Sequence, residues 1–342
     1  MATNVVVDPQ GVFQTGLIPI QHPNQRYQRF SAYQHAEERF DGVLFGSSRA
    51  QMLPQGELSA KLGVQVADFA VPAGLLDDYL PVLEYMLRPT TTQRPRLRAI
   101  FLMIDIDNFG NPPVTNRYHN TWLAPALTGE SVIRWWWRHL TALQFDRWRA
   151  ALKEARLTRE SALREKPEAE TRDSPAAVSP AQPSPPAASS APLEQITSRL
   201  EFGRQLQLLE RMVALCHEHG ITLMVAISPM HPEIESRLDP TDMAQAVQAL
   251  TRVVPVWDFS RTSSITGRPE FWHKDKLHFA PHIAWMMMRR MFSGTMPPGW
   301  EKFGCLRQLT GNCDNARLRT SYPNHVLEMA LAHVIGDKVE AA

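Results

Sequence analysis

The chain has 342 residues, 44% of them hydrophobic, enough to bury a full core in one large domain or two smaller ones. Its 36 Lys and Arg nearly balance 35 Asp and Glu, so there is no global basic field of the kind that gathers nucleic acid or anionic lipid; nucleic acid is set aside as a main partner. No uninterrupted apolar run approaches the length of a membrane-spanning helix, and "MATNVVVDPQGVFQTG" lacks the basic-then-apolar plan of a signal peptide.

Five short segments rich in Val, Ile, Leu and Phe read as buried strands: "GVLFGSS" (42–48), "VQVADFA" (64–70), "RAIFLMIDI" (98–106), "ITLMVAISP" (221–229) and "VPVWDFS" (254–260). Continuous apolar runs, unlike alternating ones, suit a parallel sheet covered on both faces. Helical patterns separate them. Leu206, Leu209, Val213 and Cys216 form a stripe that ends at Gly220, a C-terminal stop just before the fourth strand. The alternation predicts an α/β, flavodoxin-like three-layer domain with a five-stranded parallel sheet, the segment beginning "GVLFGSS" near its centre.

The rhythm breaks once. Residues 165–194 are a Pro, Ala and Ser mixture with almost no core-forming side chains, expected to be disordered, inside a long insertion at 110–196. The insertion also carries "SVIRWWWRHLTALQFDRWRAAL", whose tryptophans are expected to pack on the sheet; carbohydrate stacking and membrane contact are the alternatives. The resulting organisation is an N-terminal extension at 1–39, an α/β domain at 40–295 with this insertion, and a C-terminal extension at 296–342. Of three cysteines, Cys216 lies in a helical stretch as a small apolar residue, while Cys305 and Cys313 either pair across a short loop or remain free thiols.

Sites in open parallel sheets form at the carboxyl ends of strands. Three loops there carry chemistry. Gly46-Ser47-Ser48-Arg49 follows the first strand, and its Ser reads either as a helix cap or as a presented nucleophile. "FAVPAG" follows the second, with the Gly74 N–H available to a cleft. Beyond the fifth, "FWHKDKLHFAPH" places Asp275 and His278 three apart, so that an Asp can hold an imidazole in one tautomer while it takes a serine proton. His273, Asp275 and His278 also spell a metal-like H-x-D-x-x-H, but the loop offers no further ligands and the serine turn would go unexplained. Ser228 and His231, in "ISPMHPE" after the fourth strand, read as a turn built around Pro229 and Pro232 that borders the same cleft.

The serine turn and the late D-x-x-H together resemble the SGNH hydrolase superfamily, or GDSL-type esterases, and most closely its bacterial envelope branch related to teichoic acid D-alanyl transfer and alginate-acetylation proteins. The resemblance covers residues 40–295, the insertion excepted. It implies a catalytic Ser48, Asp275 and His278, with oxyanion donors from the N–H of Ser48, the N–H of Gly74 and Asn108. Arg49 and His231 are candidate substrate-binding residues, and no cofactor or metal is implied. The family's Gly-x-Asn-Asp block is altered here to "IDIDNFG", with Asp105, Asp107 and Asn108, and an ionised Asp107 cannot donate to an oxyanion. The expected activity is O-acyl ester hydrolysis or O-acyl transfer on an acylated glycan or envelope polymer, with a membrane acyltransferase as a candidate partner. The alternative is a non-catalytic glycan-binding or assembly component of an envelope system. The resemblance points to the periplasm or envelope, so that either a leading segment is missing before Met1 or the protein works in the cytoplasm.

Overall fold

The computed structural model describes residues 2–8, 11–13, 15, 24–89, 96–110, 123–141, 148–149, 152–153, 156, 199–261, 263, 265–293, 295–308 and 313–314. The segment 165–194, expected to be disordered, lies outside them. The chain divides into two compact units: Met1–Gln28 with Asn120–Pro192, and Arg29–His119 with Leu193–Ala342.

The larger unit is α/β. Its strands are β1 (Gly42–Gly46), β2 (Val66–Asp68), β3 (Ala99–Ile104), β4 (Thr222–Ile227), β5 (Val256–Asp258), β6 (Cys305–Arg307) and β7 (Cys313–Asp314), in the sheet order β2-β1-β3-β4-β5-β6-β7. The first five are parallel and are the five apolar segments of the sequence. Their order is compatible with a flavodoxin-like fold, with β1 between β2 and β3. A purely parallel five-stranded sheet is corrected to a mixed one, of seven strands among the described residues, because β6 and β7 add antiparallel at the β5 edge. These two strands come from the expected C-terminal extension, too short to announce themselves by periodicity. An ion pair fastens the first: Arg307 Nε donates to Asp258 Oδ2 at 2.6 Å, both groups buried.

Helices cover both faces of the sheet, which is why β1 and β3 are buried along their full length. On one face, Leu44, Phe101, Met103 and Met224 join a core completed by Leu58 of α3 (Gln55–Leu62) and by Ile283, Ala284, Met287 and Met288 of α11 (Pro281–Ser293). On the other, Phe45 stacks on Tyr79 of α4 (Leu76–Leu87), with ring centroids 5.0 Å apart. The predicted stripe at 206–216 lies on α8 (Arg199–His219), where Leu209, Met212 and Cys216 are buried. Cys216 is a free thiol, and Cys305 is disulfide-bonded.

In the smaller unit α1 (Ala2–Val7), α6 (Pro125–Thr128) and α7 (Val132–Thr141) are described. Of the tryptophans expected to pack on the sheet, Trp135 is buried among residues of its own unit. It stacks on Tyr27 with centroids 4.9 Å apart and donates through Nε1 to the Leu123 carbonyl at 3.0 Å. Trp137 is exposed.

Candidate active site

Every residue of the site belongs to the larger unit. The site lies beyond the carboxyl ends of the strands, where β1 sends one connection to β2 while β3 pairs on its other side, the place where open α/β sheets hold ligands. The chain leaves β1 through Gly46 at φ 154°, and a Cβ there would stand 2.5 Å from Cβ of Ala50 and 3.1 Å from the Met103 carbonyl oxygen. Only glycine lets the backbone turn this sharply beside β3, and the turn lifts Ser47 and Ser48 above the sheet.

The two serines have different partners. Ser48 Oγ lies 2.7 Å from Nε2 of His278, and Nδ1 of the same ring lies 2.6 Å from Asp275 Oδ2. The other oxygen of Asp275 accepts the N–H groups of Leu277 and His278, at 2.9 and 3.1 Å. Burial pushes the Asp275 carboxyl up, but the His278 ring and those two N–H groups together hold it below the ordinary carboxylate value. An ionised Asp275 can only accept, so Nδ1 carries the proton and Nε2 presents its lone pair to Ser48. The loop is closed on itself: His273 N–H donates to the His278 carbonyl at 2.8 Å, and Lys276 at its tip takes a left-handed φ of 58°.

Ser47 points elsewhere. Its hydroxyl donates to Asp105 Oδ2, and its oxygen accepts the Arg49 N–H at 3.0 Å. Asp105 also accepts Ser228 Oγ at 2.7 Å, so the ends of β1, β3 and β4 share one carboxylate. Arg49, a candidate substrate contact from sequence, is buried and engaged by the protein. Nη1 and Nη2 form a fork with the Asp107 carboxylate at 2.5 and 2.7 Å, and Nε donates to the Leu277 carbonyl at 3.0 Å. Burial alone would lower its pKa; the charges of Asp105 and Asp107 outweigh that and leave it raised, so the guanidinium stays cationic. Asp107 is thus the carboxylate that fixes Arg49.

The expected oxyanion donors separate. The Gly74 N–H is spent on the Val71 carbonyl at 3.0 Å, closing a turn, so its assignment to the cleft is corrected. Glycine stands there because a Cβ would sit 1.8 Å from the Tyr79 hydroxyl oxygen. Asn108 is half-buried in the short helix Ile106–Phe109, its backbone N–H bonded to the Asp105 carbonyl at 3.0 Å. Ser48 N–H has no acceptor among the described residues. His231 caps the short helix Pro232–Glu235 by accepting the Glu233 N–H on Nδ1 at 3.1 Å, and its ring meets Trp272 edge-on at 5.1 Å. Its pKa is lowered, burial being the largest cause. Among the described residues no group of three or more His, Cys, Asp or Glu is placed to hold a metal ion.

Asp105, Asp107 and Ser228 are visible in the sequence as residues, but not as a frame around the serine turn. The signal that could have found them is a pair of carboxylates ending one buried strand beside a buried strand that ends in Ser-Ser-Arg. Comparison with protein-family models and with curated proteins finds no match to this chain.

Proposed function

We propose that the chain is an SGNH-like serine O-acyl esterase or O-acyltransferase acting on an acylated glycan or envelope polymer. The observation that carries this reading is the 2.7 Å approach of Ser48 Oγ to His278 Nε2, with Asp275 on the other ring nitrogen. In this reading His278 takes the Ser48 proton as the oxygen attacks the ester carbonyl carbon. The Ser48 N–H faces the oxyanion, and His278 returns the proton to the departing alkoxide. The acyl-serine then passes its group to water or to a sugar hydroxyl, whose proton His278 removes. Asp275 holds the ring and stabilises its cationic form.

The parallel core in flavodoxin-like order supports the same reading, as does the placement of serine and histidine loops on one rim. An envelope location and a membrane acyltransferase partner belong to it as expectations of the resemblance. The turn hydrogen bond of Gly74 favours a second reading, a glycan-binding component with an incomplete oxyanion hole. Incubation with a fluorophosphonate probe separates them. Stoichiometric labelling of Ser48, absent in Ser48→Ala, supports the enzyme; a folded, unlabelled chain supports the binding component.

A further inference from the structure

The Gly74 N–H is spent in a turn, whereas the Ser48 N–H has no acceptor among the described residues. Its direction is set by the peptide that joins Ser47 to Ser48. That peptide is trans, and in a trans plane the N–H and C=O point opposite ways. Its carbonyl, on Ser47, accepts the Ala50 N–H at 3.0 Å, so the Ser48 N–H faces away from the turn that this bond closes.

A single bond to Ala50 leaves the plane free to rock. The second constraint is the Ser47 side chain, which is 3% exposed. Its oxygen accepts the Arg49 N–H at 3.0 Å, and its own hydrogen goes to Asp105 Oδ2. Asp105 is in turn fixed at three points. Its side chain is 9% exposed, Oδ1 accepts Ser228 Oγ at 2.7 Å, and its backbone carbonyl accepts the Asn108 N–H at 3.0 Å. Neither Ser47 nor Asp105 hydrogen-bonds the Ser48 side chain or the His278 ring.

We infer that Asp105 is a positioning residue for acylation, acting through the Ser47 hydroxyl to hold the Ser48 N–H toward the developing oxyanion; this rests on the serine-esterase reading. As Ser48 Oγ bonds the carbonyl carbon, the carbonyl π pair moves onto oxygen, and the charge there exists only once the bond is forming. A donor that has rocked out of line therefore costs rate in the bound complex and leaves binding nearly intact. What Ser47 needs from position 105 is an acceptor held in place. The carboxylate supplies two, one for each serine, from the end of β3.

The test is fluorophosphonate labelling of the full chain, with kinact and KI measured separately. Asp105→Ala and Ser47→Ala should each lower kinact about 10- to 100-fold, with KI within about twofold of wild type and the label still on Ser48. The double variant should label no more slowly than Asp105→Ala, since both remove one linkage. Asp105→Asn keeps an amide oxygen for the Ser47 hydroxyl and should recover most of the rate. Asp258→Asn removes a buried carboxylate from the end of β5, away from the serine turn; it should lower the melting temperature and leave kinact as in wild type. Wild-type kinact in both Ser47→Ala and Asp105→Ala overturns the inference and leaves the esterase reading standing. Multiplied losses in the double variant, an Asp105→Asn as slow as Asp105→Ala, or an equal loss in Asp258→Asn also overturn it. A folded wild-type chain that takes no label overturns the esterase reading, and the inference falls with it.

Discussion

Arg49 and Leu277 are 228 residues apart, and the guanidinium Nε of one donates to the backbone carbonyl of the other at 3.0 Å. The bond joins the turn that carries Ser48 to the loop that carries Asp275 and His278, while the Asp107 fork prevents Arg49 from swinging away. Arg49→Met should therefore destabilise the protein by about 3–5 kcal/mol, since it leaves a buried carboxylate unpaired. Arg49→Lys keeps the charge but loses the fork, so it should lower the melting temperature less and still slow fluorophosphonate labelling on the order of 10- to 100-fold. A labelling rate unchanged in Arg49→Lys would show that the serine and histidine loops hold their alignment without it.

The two adjacent serines should respond oppositely to alanine. Ser48→Ala should abolish labelling and leave the melting temperature nearly unchanged, because Ser48 Oγ bonds only the His278 ring among the described residues. Ser47→Ala removes bonds to Asp105 and to the Arg49 N–H, so it should cost about 1–3 kcal/mol while labelling persists at Ser48. Mass spectrometry of the labelled peptide, together with thermal melts, reads both.

His278→Ala should slow acylation by about 10²- to 10⁴-fold, and Asp275→Asn should approach that loss by freeing the wrong tautomer. The Asp275 carboxyl is also a stability element with a definite pH sense. Its folded value lies below its unfolded one, so its contribution is complete above about pH 4, near the ordinary carboxylate value. That contribution is lost as pH falls through the lowered folded value. Melting curves of wild type and Asp275→Asn should accordingly differ most at neutral pH and converge in acid. A gap that widens in acid would contradict the hydrogen-bonded carboxylate.

Cys216 supplies a check on the core that is independent of the site. Burial on the packing face of α8 pushes its thiol up to about 12, so the native protein should resist iodoacetamide at neutral pH and react only on unfolding. Rapid native alkylation would mean that this helix opens readily.

Much of the frame was written in composition and order. Five apolar runs separated by helical stripes leave few arrangements once crossovers are right-handed, and those five runs are the five parallel strands. Gly46 was legible as a turn, since local backbone geometry and a strand end are both local facts. What local pattern could not decide was the partner of each side chain. Ser47 and Ser48 are chemically identical, and a turn of fixed hand alone aims one at Asp105 and the other at His278. Arg49 read as a ligand for substrate because its charge is visible in sequence, whereas Asp107 reaches it only through the pairing of β1 with β3. Gly74 offered an N–H by position, and a turn bond to Val71 consumed it. Sequence determined which chemical groups stand at the strand ends; the parallel register, which brings those ends onto one rim, decided which of them meet.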